Sequence, residues 1–375
     1  MRKHLVFVGG GHAHLTCLKN LQEFTRNKHR VTLISPSPYH YYSGMGPGML
    51  SRIYRPQEVR FHVKKMAEDR GGTFIMGVVN KIDADRRVLF LSSGESIAYD
   101  VVSFNTGSEV PVASLVEADQ KNVFTVKPVL SLLDARQHLV TTLRQKRLNL
   151  VVVGGGPAGV EISANLWRLV KESGGEAGIT LIGGKRLLGE APARVRELAF
   201  NSLVRKQVQV VEGRYAKRIE PKEVILDEDT RLQADVAFVA VGIRPASIFR
   251  NSGLPTGEDG GLLVNPFLQS VARPEIFGGG DCISLEGYHL AKVGVYAVRQ
   301  NPILRHNLWV ALEGGEMATF KPQRTFLLIF NMGDGKGVFW RENWVWEGRL
   351  AFLLKDYIDR SFMRTFQVSG ELAES

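Results

Sequence analysis

Two glycine-rich turns constrain the fold of this chain more than any other feature. The first turn, residues 9–14 (Gly-Gly-Gly-His-Ala-His), follows an apolar run at 5–8, and leucines at helical spacing begin directly after it. The second turn, residues 154–159 (Gly-Gly-Gly-Pro-Ala-Gly), follows an apolar run at 148–153 and precedes another helical pattern. A strand, a tight glycine turn and a helix N-terminus together bind a dinucleotide, because glycine lets the backbone approach the pyrophosphate and the helix offers unpaired N–H groups. We therefore predict an α/β fold with two Rossmann-like dinucleotide-binding domains.

The two turns differ in how well they match this fingerprint. The second has the full Gly-x-Gly-x-x-Gly spacing, whereas the first carries His14 where a glycine or alanine normally allows close helix–strand packing. Both units also lack the acidic residue that usually binds a ribose hydroxyl about 20 residues after the turn. Ser35-Pro36 stands there in the first unit and Gly183-Gly184-Lys185-Arg186 in the second. The basic pair suits a 2′-phosphate and is equally consistent with a solvated turn, so the choice between NADH and NADPH stays open.

Other strand ends and one loop carry further candidate binding residues. The runs at 101–104 and 236–241 lead to Thr106-Gly107 and Gly242, where we expect the chain to leave and re-enter its first domain. The run at 276–278 leads to Gly280-Asp281, and an aspartate there is either a helix N-cap or a carboxylate for ribityl hydroxyls. The Tyr- and Gly-rich loop 39–48, which includes Ser43-Gly44-Met45, is either a surface turn cluster or a backbone that lies against a flat ring. After two nucleotide turns, we favour the ligand-binding interpretation for both.

Composition narrows the class of protein. The 375 residues are 44% hydrophobic and 23% charged, which is typical of an ordinary globular protein. The net charge of +10 is scattered through helical stretches and no nucleic-acid motif occurs, so we expect no nucleic-acid partner. The two cysteines, Cys17 and Cys282, have no metal-ligand spacing, so we expect no metal site and a reducing, cytoplasmic location. We expect no secretion leader, because the first apolar run stops at the glycines, and no run approaches the roughly 20 residues of a membrane-spanning helix.

The C-terminal region ends in a predicted amphipathic helix at about 349–366. Its apolar positions, such as Leu350, Leu353 and Tyr357, alternate with Lys355, Arg360 and Arg364, and tryptophans precede it. Interfacial membrane helices have this composition, and so do helices that pack on their own domain. The sequence leaves both interpretations open.

The order of these parts resembles the two-dinucleotide-binding-domain flavoproteins of the pyridine nucleotide-disulfide oxidoreductase superfamily. Within it, the chain looks like type II NADH dehydrogenases and sulfide:quinone oxidoreductases. It is most similar to the oxidoreductase domain that some bacteria fuse to selenide, water dikinase. The segments that carry this resemblance are residues 9–15, 42–48, 294–300 and 355–363.

The resemblance implies an FAD-binding domain at 1–112 and 243–312, interrupted by an NAD(P)H-binding domain at 113–242. Residues 313–375 would form a C-terminal region that faces the membrane and quinone or a dimer partner. By motif, the cofactor-binding residues would be Gly9, Gly11, His12, Ala13, His14, Ser35, Pro36, Ser43, Gly44, Met45, Thr106, Gly107, Gly154, Gly156, Pro157, Gly159, Glu161, Gly242, Gly280, Asp281, Lys292 and Val293.

The function that follows is electron transfer from NAD(P)H through FAD to a quinone, by a cytoplasmic protein that is peripheral on the membrane. Lys292 would stabilise negative charge on the reduced ring, and Glu161 would orient the nicotinamide. Lys292 could equally be a surface cation, and Glu161 a helix N-terminal charge.

The cysteines do not match the pair of sulfide:quinone oxidoreductases, and the Ala-Gln quinone motif is only loosely echoed at 291–295, so the acceptor stays open. The alternatives are a reductase of selenium or sulfur metabolism and a nucleotide-binding redox sensor with little turnover. The oligomeric state is open, with a homodimer among the options.

Overall fold

A computed structural model describes residues 1–116 and 120–374 of the chain. Residues 117–119, which belong to the inferred NAD(P)H-binding range 113–242, therefore lie outside the described residues. The strands, numbered along the chain, are β1 His4–Val8, β2 Arg30–Ser35, β3 His40–Tyr41, β4 Arg60–Phe61, β5 Thr73–Met76, β6 Val79–Asp83, β7 Val88–Leu91, β8 Ser96–Ala98, β9 Val101–Phe104, β10 Val123–Thr125, β11 Leu148–Val153, β12 Ala177–Ile182, β13 Gln209–Val211, β14 Ala216–Glu220, β15 Glu223–Leu226, β16 Arg231–Gln233, β17 Val236–Val239, β18 Leu262–Val264, β19 Ile276–Gly278, β20 Ile283–Leu285, β21 Leu328–Asn331, β22 Gly337–Arg341 and β23 Trp344–Gly348. The helices are α1 Leu15–Lys19, α2 Gln22–Arg26, α3 Gly46–Leu50, α4 Val63–Glu68, α5 Leu130–Thr142, α6 Pro157–Ser173, α7 Ala193–Arg205, α8 Ile248–Asn251, α9 Gly294–Glu313 and α10 Arg349–Phe366.

Two parallel five-stranded sheets form the framework, which confirms the predicted fold class. The first has the order β19-β9-β1-β2-β5, and the second has the order β10-β17-β11-β12-β13. In each sheet the strand before a glycine turn, β1 or β11, is central, and the strand after the following helix lies beside it. Such strands are covered on both faces, so their side chains form a nearly continuous apolar run. Leu5 to Val8 of β1 are accordingly buried. Each central position places its glycine turn at the carboxyl edge of its sheet, where open α/β folds bind ligands.

Smaller antiparallel units flank these sheets. Three-stranded sheets form from β6-β7-β8, β14-β15-β16 and β21-β22-β23. The last of these carries α10, which packs on β21 and β22. The helix at 349–366 therefore occurs where the sequence pattern predicts it.

The long helix before the C-terminal region starts later than the sequence suggests. The apolar spacing predicts a helix from residue 288, but α9 begins at Gly294, and Val293 is its extended N-cap residue. Residues 288–293 instead lead into the helix along the cavity described below, and Lys292 and Val293 line it. The helix continues through Pro302, as predicted.

Candidate functional site

The two glycine turns open onto one continuous cavity. It has a volume of about 1200 Å³, and residues of both five-stranded sheets line it. Small-molecule sites in proteins typically occupy about 300–1,000 Å³, so this space suits an unusually large ligand or two ligands. The turns are thus parts of one site, although the sequence separates them by about 140 residues.

The first turn is closely packed by a side chain that the sequence motif does not contain. Gly9 has φ +87°, and a Cβ on Gly11 would lie 2.2 Å from Oδ1 of Asn105. The Asn105 amide accepts a hydrogen bond from the Ala13 N–H (3.0 Å) and donates one to the Gly279 carbonyl (2.5 Å). Asn105 therefore joins the turn to β9 and β19. Sequence reasoning missed this residue because its partners lie 92 and 174 positions away.

His14, the misfit of the first turn, has a structural explanation. Its ring is fully buried; Nδ1 lies 2.6 Å from the Gly9 carbonyl oxygen and Nε2 lies 2.8 Å from Oγ of Ser103. A carbonyl can only accept, so Nδ1–H donates to Gly9 and Nε2 accepts from the Ser103 hydroxyl. Burial lowers the pKa of His14 to about 4, which favours this neutral form. The two hydrogen bonds of the imidazole join the turn to β9. His14 itself does not line the cavity.

The second turn achieves the same closeness with glycine alone. Gly154 has φ +126°, and a Cβ there would lie 2.3 Å from the Ala240 carbonyl oxygen. A Cβ on Gly159 would lie 1.8 Å from the Gly154 carbonyl oxygen, so only glycine allows α6 to start this close to the turn. No atom lies within 4 Å of the position that a Cβ on Gly156 would take. This open side and the N-terminus of α6 form a cradle for a phosphate.

Asp281 is bound to a residue of the other sheet's domain. Its carboxylate pairs with the Lys127 ammonium and accepts a hydrogen bond from Ser108 (2.9 Å), and all three residues line the cavity. Lys127 lies 154 positions away and directly follows β10. Sequence reasoning missed Lys127, because nothing in its local sequence marks it as a partner of Asp281.

A buried histidine, His12, and a half-buried one, His40, form part of the cavity wall. Nδ1 of His12 lies 3.2 Å from Nε2 of His40, and the His12 ring stacks with Phe362 of α10 at 5.9 Å between centroids. Burial lowers the pKa of both rings, that of His12 to about 4. Nε2 of His12 is buried and has no hydrogen-bond partner within the described chain.

Lys292 lines the cavity, but its charge is already partnered. Its ammonium lies 2.6 Å from Oδ2 of Asp259 and donates to the Ile283 carbonyl at 2.6 Å. Asp259 therefore offsets the positive charge that Lys292 could offer to a ligand. Only its remaining N–H is open to other partners.

Glu161 lies outside the cavity lining, although it follows the second turn. Its carboxylate accepts a hydrogen bond from the backbone N–H of Asn331 in β21 (2.8 Å). Burial raises the pKa of the Glu161 carboxyl to about 7, and the nearby Lys355 ammonium partly lowers this pKa again. The carboxylate thus faces the C-terminal region, and Glu161 does not line the cavity.

The structure brings most predicted site residues together. Those that line the cavity are Gly9, Gly11, His12, Ser35, Pro36, Ser43, Thr106, Gly107, Gly154, Gly156, Pro157, Gly242, Gly280, Asp281, Lys292 and Val293. Those outside the lining are Ala13, His14, Gly44, Met45, Gly159 and Glu161.

The outward face of α10 is apolar. Its exposed side chains include Leu350 (76% exposed), Tyr357 (67%) and Leu353 (58%), and Trp344 of β23 is 72% exposed beside them. The inward face buries Lys355 and Asp359 together with Ala351, Met363 and Phe366. The helix therefore packs on its own domain and leaves a second, apolar face exposed. No helix in the described part of the chain is long and apolar enough to cross a membrane.

Known proteins are similar along most of the chain. The sequence model of the family described as pyridine nucleotide-disulphide oxidoreductase matches residues 3–300. Ferroptosis suppressor protein 1 of Xenopus laevis is 25% identical over 354 residues, covering 89% of this chain and 88% of that protein.

Solved structures share the fold. NDH2 from Plasmodium falciparum, solved in complex with NADH, superimposes with a TM-score of 0.83 at 14% identity, covering 99% of this chain and 98% of that one. The sulfide:quinone oxidoreductase of Aquifex aeolicus has a TM-score of 0.79 at 17% identity, covering 97% and 91%.

Proposed function

Because the chain belongs to the pyridine nucleotide-disulphide oxidoreductase family, we propose that it is an FAD-dependent enzyme that passes electrons from NAD(P)H to a quinone at a membrane surface. Family membership identifies the chain as an oxidoreductase and confirms FAD and NAD(P)H as its cofactors. The single cavity that joins both glycine turns carries the rest of the proposal. Donor and flavin must meet for a hydride to pass, and a shared cavity allows this contact.

The first turn and the strand ends beside it fit FAD. Gly9 and Gly11 leave room for a pyrophosphate, Ser35 lies where the ribose would, and Asp281 lies where ribityl hydroxyls would need an acceptor. The N-terminus of α9 at Gly294 also opens on the cavity, where its dipole favours negative charge. When bound, FAD supplies the two-electron chemistry, while the protein orients the ring and tunes its electronics.

The second turn fits the nicotinamide nucleotide. The open side of Gly156 faces the phosphates, and Gly183, Gly184 and Lys185 line the cavity at the end of β12, where the adenosine ribose would lie. The inferred domain division, with 113–242 as the NAD(P)H-binding unit, is part of this proposal.

The acceptor side is proposed from α10. One solved relative is named a sulfide:quinone oxidoreductase. The exposed leucines and tryptophan of the α10 region offer the apolar face that a peripheral protein buries in the headgroup region, where a quinone would be reached. The overall reaction, NAD(P)H + H⁺ + quinone → NAD(P)⁺ + quinol, balances in electrons and protons. Membrane association and a homodimer both stay predictions.

Dithiol chemistry of sulfur or selenium compounds has less support. Cys17 and Cys282 are both fully buried and unpaired. Burial raises the pKa of both thiols, that of Cys17 to about 12, so neither is a ready nucleophile. The similarity to the domain fused to selenide, water dikinase stays a prediction.

An anaerobic titration of the purified yellow holoprotein tests the proposal. NADH or NADPH should bleach the flavin absorbance near 450 nm, and a short-chain ubiquinone should restore it. Selenite or polysulfide in place of the quinone serves as the comparison. Purified protein without FAD, or a flavin that neither nucleotide bleaches, would contradict the proposal, and reoxidation by the chalcogen compounds alone would favour the alternative enzyme.

A further inference from the structure

A buried charged cluster connects the C-terminal helix to the cavity wall. It consists of Lys355 and Asp359 of α10, Tyr42 and Gly44 of the loop after β3, and Glu161 of α6. The Lys355 ammonium donates to the Gly44 carbonyl (2.7 Å) and to Oδ2 of Asp359 (2.7 Å), and the Tyr42 hydroxyl donates to Oδ1 of Asp359 (3.1 Å). We call this set the Lys355 cluster. Neither the glycine motifs nor the amphipathic pattern predicts it.

Two charged residues of the cluster lie on the face of α10 that packs on the domain. Lys355 is 9% exposed and Asp359 is 4% exposed, whereas Leu350 on the opposite face is 76% exposed. A buried ion pair is costly to desolvate, and apolar side chains at both positions would often be as stable. The pair adds geometric specificity, because its hydrogen bonds fix the position of the loop after β3 relative to α10.

The two hydrogen bonds between α10 and the loop lie on either side of one residue of the cavity wall. Tyr42 and Gly44 flank Ser43, which lines the cavity. The loop is tightly folded, since a Cβ on Gly44 would lie 2.7 Å from Cζ of Tyr42. Ser43 also faces the start of α9, because a Cβ on Gly294 would lie 3.9 Å from its Oγ. Fixing Tyr42 and Gly44 therefore fixes Ser43 opposite the N-terminus of α9.

We propose that Lys355 is a positioning residue for the flavin: from the C-terminal helix it holds the Gly44 carbonyl and so sets Ser43 against the ring site. This inference rests on the proposed function, because it places the flavin ring on the cavity side of the wall that Ser43 and the α9 N-terminus form together. The C-terminal helix is then part of the cofactor site as well as a surface element.

The chain contains a matched control for this role. Lys206 of α7 is another buried lysine, 6% exposed, and it pairs with Asp334 (2.9 Å) and donates to the Ser202 hydroxyl (2.9 Å). It joins a helix to the same C-terminal sheet, between β21 and β22, but it does not line the cavity or bond to a residue beside the lining. Loss of Lys206 removes a comparable buried pair without touching the loop.

The test compares Lys355→Met and Lys206→Met with the wild-type holoprotein. Three quantities are measured: the dissociation constant of FAD, the shape of the flavin absorption band near 450 nm, and the thermal unfolding midpoint of the protein. We expect Lys355→Met to raise the dissociation constant at least tenfold and to alter the band. Lys206→Met should lower the unfolding midpoint similarly while it changes the dissociation constant less than twofold.

Equal effects of the two substitutions on FAD binding would overturn the proposal. If Lys355→Met does not fold, Tyr42→Phe decides, because it removes only the hydroxyl bond to Asp359. Tyr42→Phe should raise the dissociation constant two- to fivefold, and an unchanged constant with an unchanged band would overturn the proposal. Wild-type protein that binds no FAD would instead contradict the proposed function, so the two failures are distinguishable.

Discussion

His14 shows how one residue can satisfy a packing demand that glycine normally meets. At the equivalent place in the second turn, a Cβ on Gly159 would collide with the Gly154 carbonyl. In the first turn an imidazole occupies this place and bonds the Gly9 carbonyl and Ser103. The motif therefore tolerates His14 because its two ring nitrogens both find partners.

The buried histidines predict an acid-sensitive fold. The pKa of both His12 and His14 is lowered from about 6.5 to about 4 in the folded state. Unfolded chains bind these protons at higher pH, so the stability that the neutral rings provide is present above about pH 6.5 and is lost as the pH falls towards 4. We expect His14→Asn to flatten this loss by about one bound proton, as measured by urea unfolding between pH 4 and 7. An unchanged pH slope in this variant would contradict the assignment of His14 as a buried neutral ring.

Lys185 predicts a preference for NADPH. It lines the cavity at the end of β12. Glu212, which follows β13, is already bound by Arg196 and the Leu187 N–H (2.6 Å). A cation with no competing carboxylate favours a 2′-phosphate. Lys185→Ala should lower kcat/KM for NADPH about tenfold and change that for NADH less than twofold, measured with one quinone at fixed ionic strength. Equal losses with both nucleotides would show that Lys185 does not contact the 2′ position.

At the scale of elements, α10 has features of both interpretations that its sequence leaves open. Its inward face packs on the domain through Met363 and Phe366, whereas Leu350 and Leu353 on the outward face are exposed. Several apolar side chains on one exposed face mark an interaction site. That this exposed face docks on lipid stays a prediction.

The exposed face of α10 predicts binding to anionic lipid vesicles. Inserting a leucine into the interface gains roughly 0.8 kcal/mol per buried CH₂, and replacing it by glutamate also adds repulsion from anionic lipid. We expect the double variant Leu350→Glu, Leu353→Glu to lose most of its co-sedimentation with phosphatidylglycerol-containing vesicles. Val204→Glu, at another exposed apolar position (50% exposed) on α7, is the control and should bind like wild type. If wild-type protein stays in the supernatant, the lipid-docking proposal fails.

The start of α9 shows why element boundaries are hard to predict. Residues 288–293 carry apolar side chains at a helical spacing, so the pattern continues the helix backwards. In the fold, Lys292 bonds Asp259 and the Ile283 carbonyl of β20, and Val293 has an extended backbone, so the helix starts only at Gly294. Tertiary hydrogen bonds outweigh a weak local preference for helix. The later start exposes the N-terminus of α9 to the cavity.

At the scale of the whole molecule, the sequence by itself determined the architecture. Each strand–glycine–helix unit is a local pattern, because its residues are consecutive in the chain. Two such units, the Gly-Asp strand end and the C-terminal helix are therefore readable one by one, and their order indicates the family. The cavity-lining glycines were found in this way.

Only the tertiary structure decided which side chains complete the site and which way they face. Asn105, Lys127 and Lys355 reach partners 92, 154 and 311 positions away, so no spacing rule marks them. Glu161 follows the motif but turns towards Asn331, because the C-terminal sheet offers it an N–H there. Backbone patterns are set by neighbours along the chain, whereas the partners of a buried charge are set by whatever the fold packs against it.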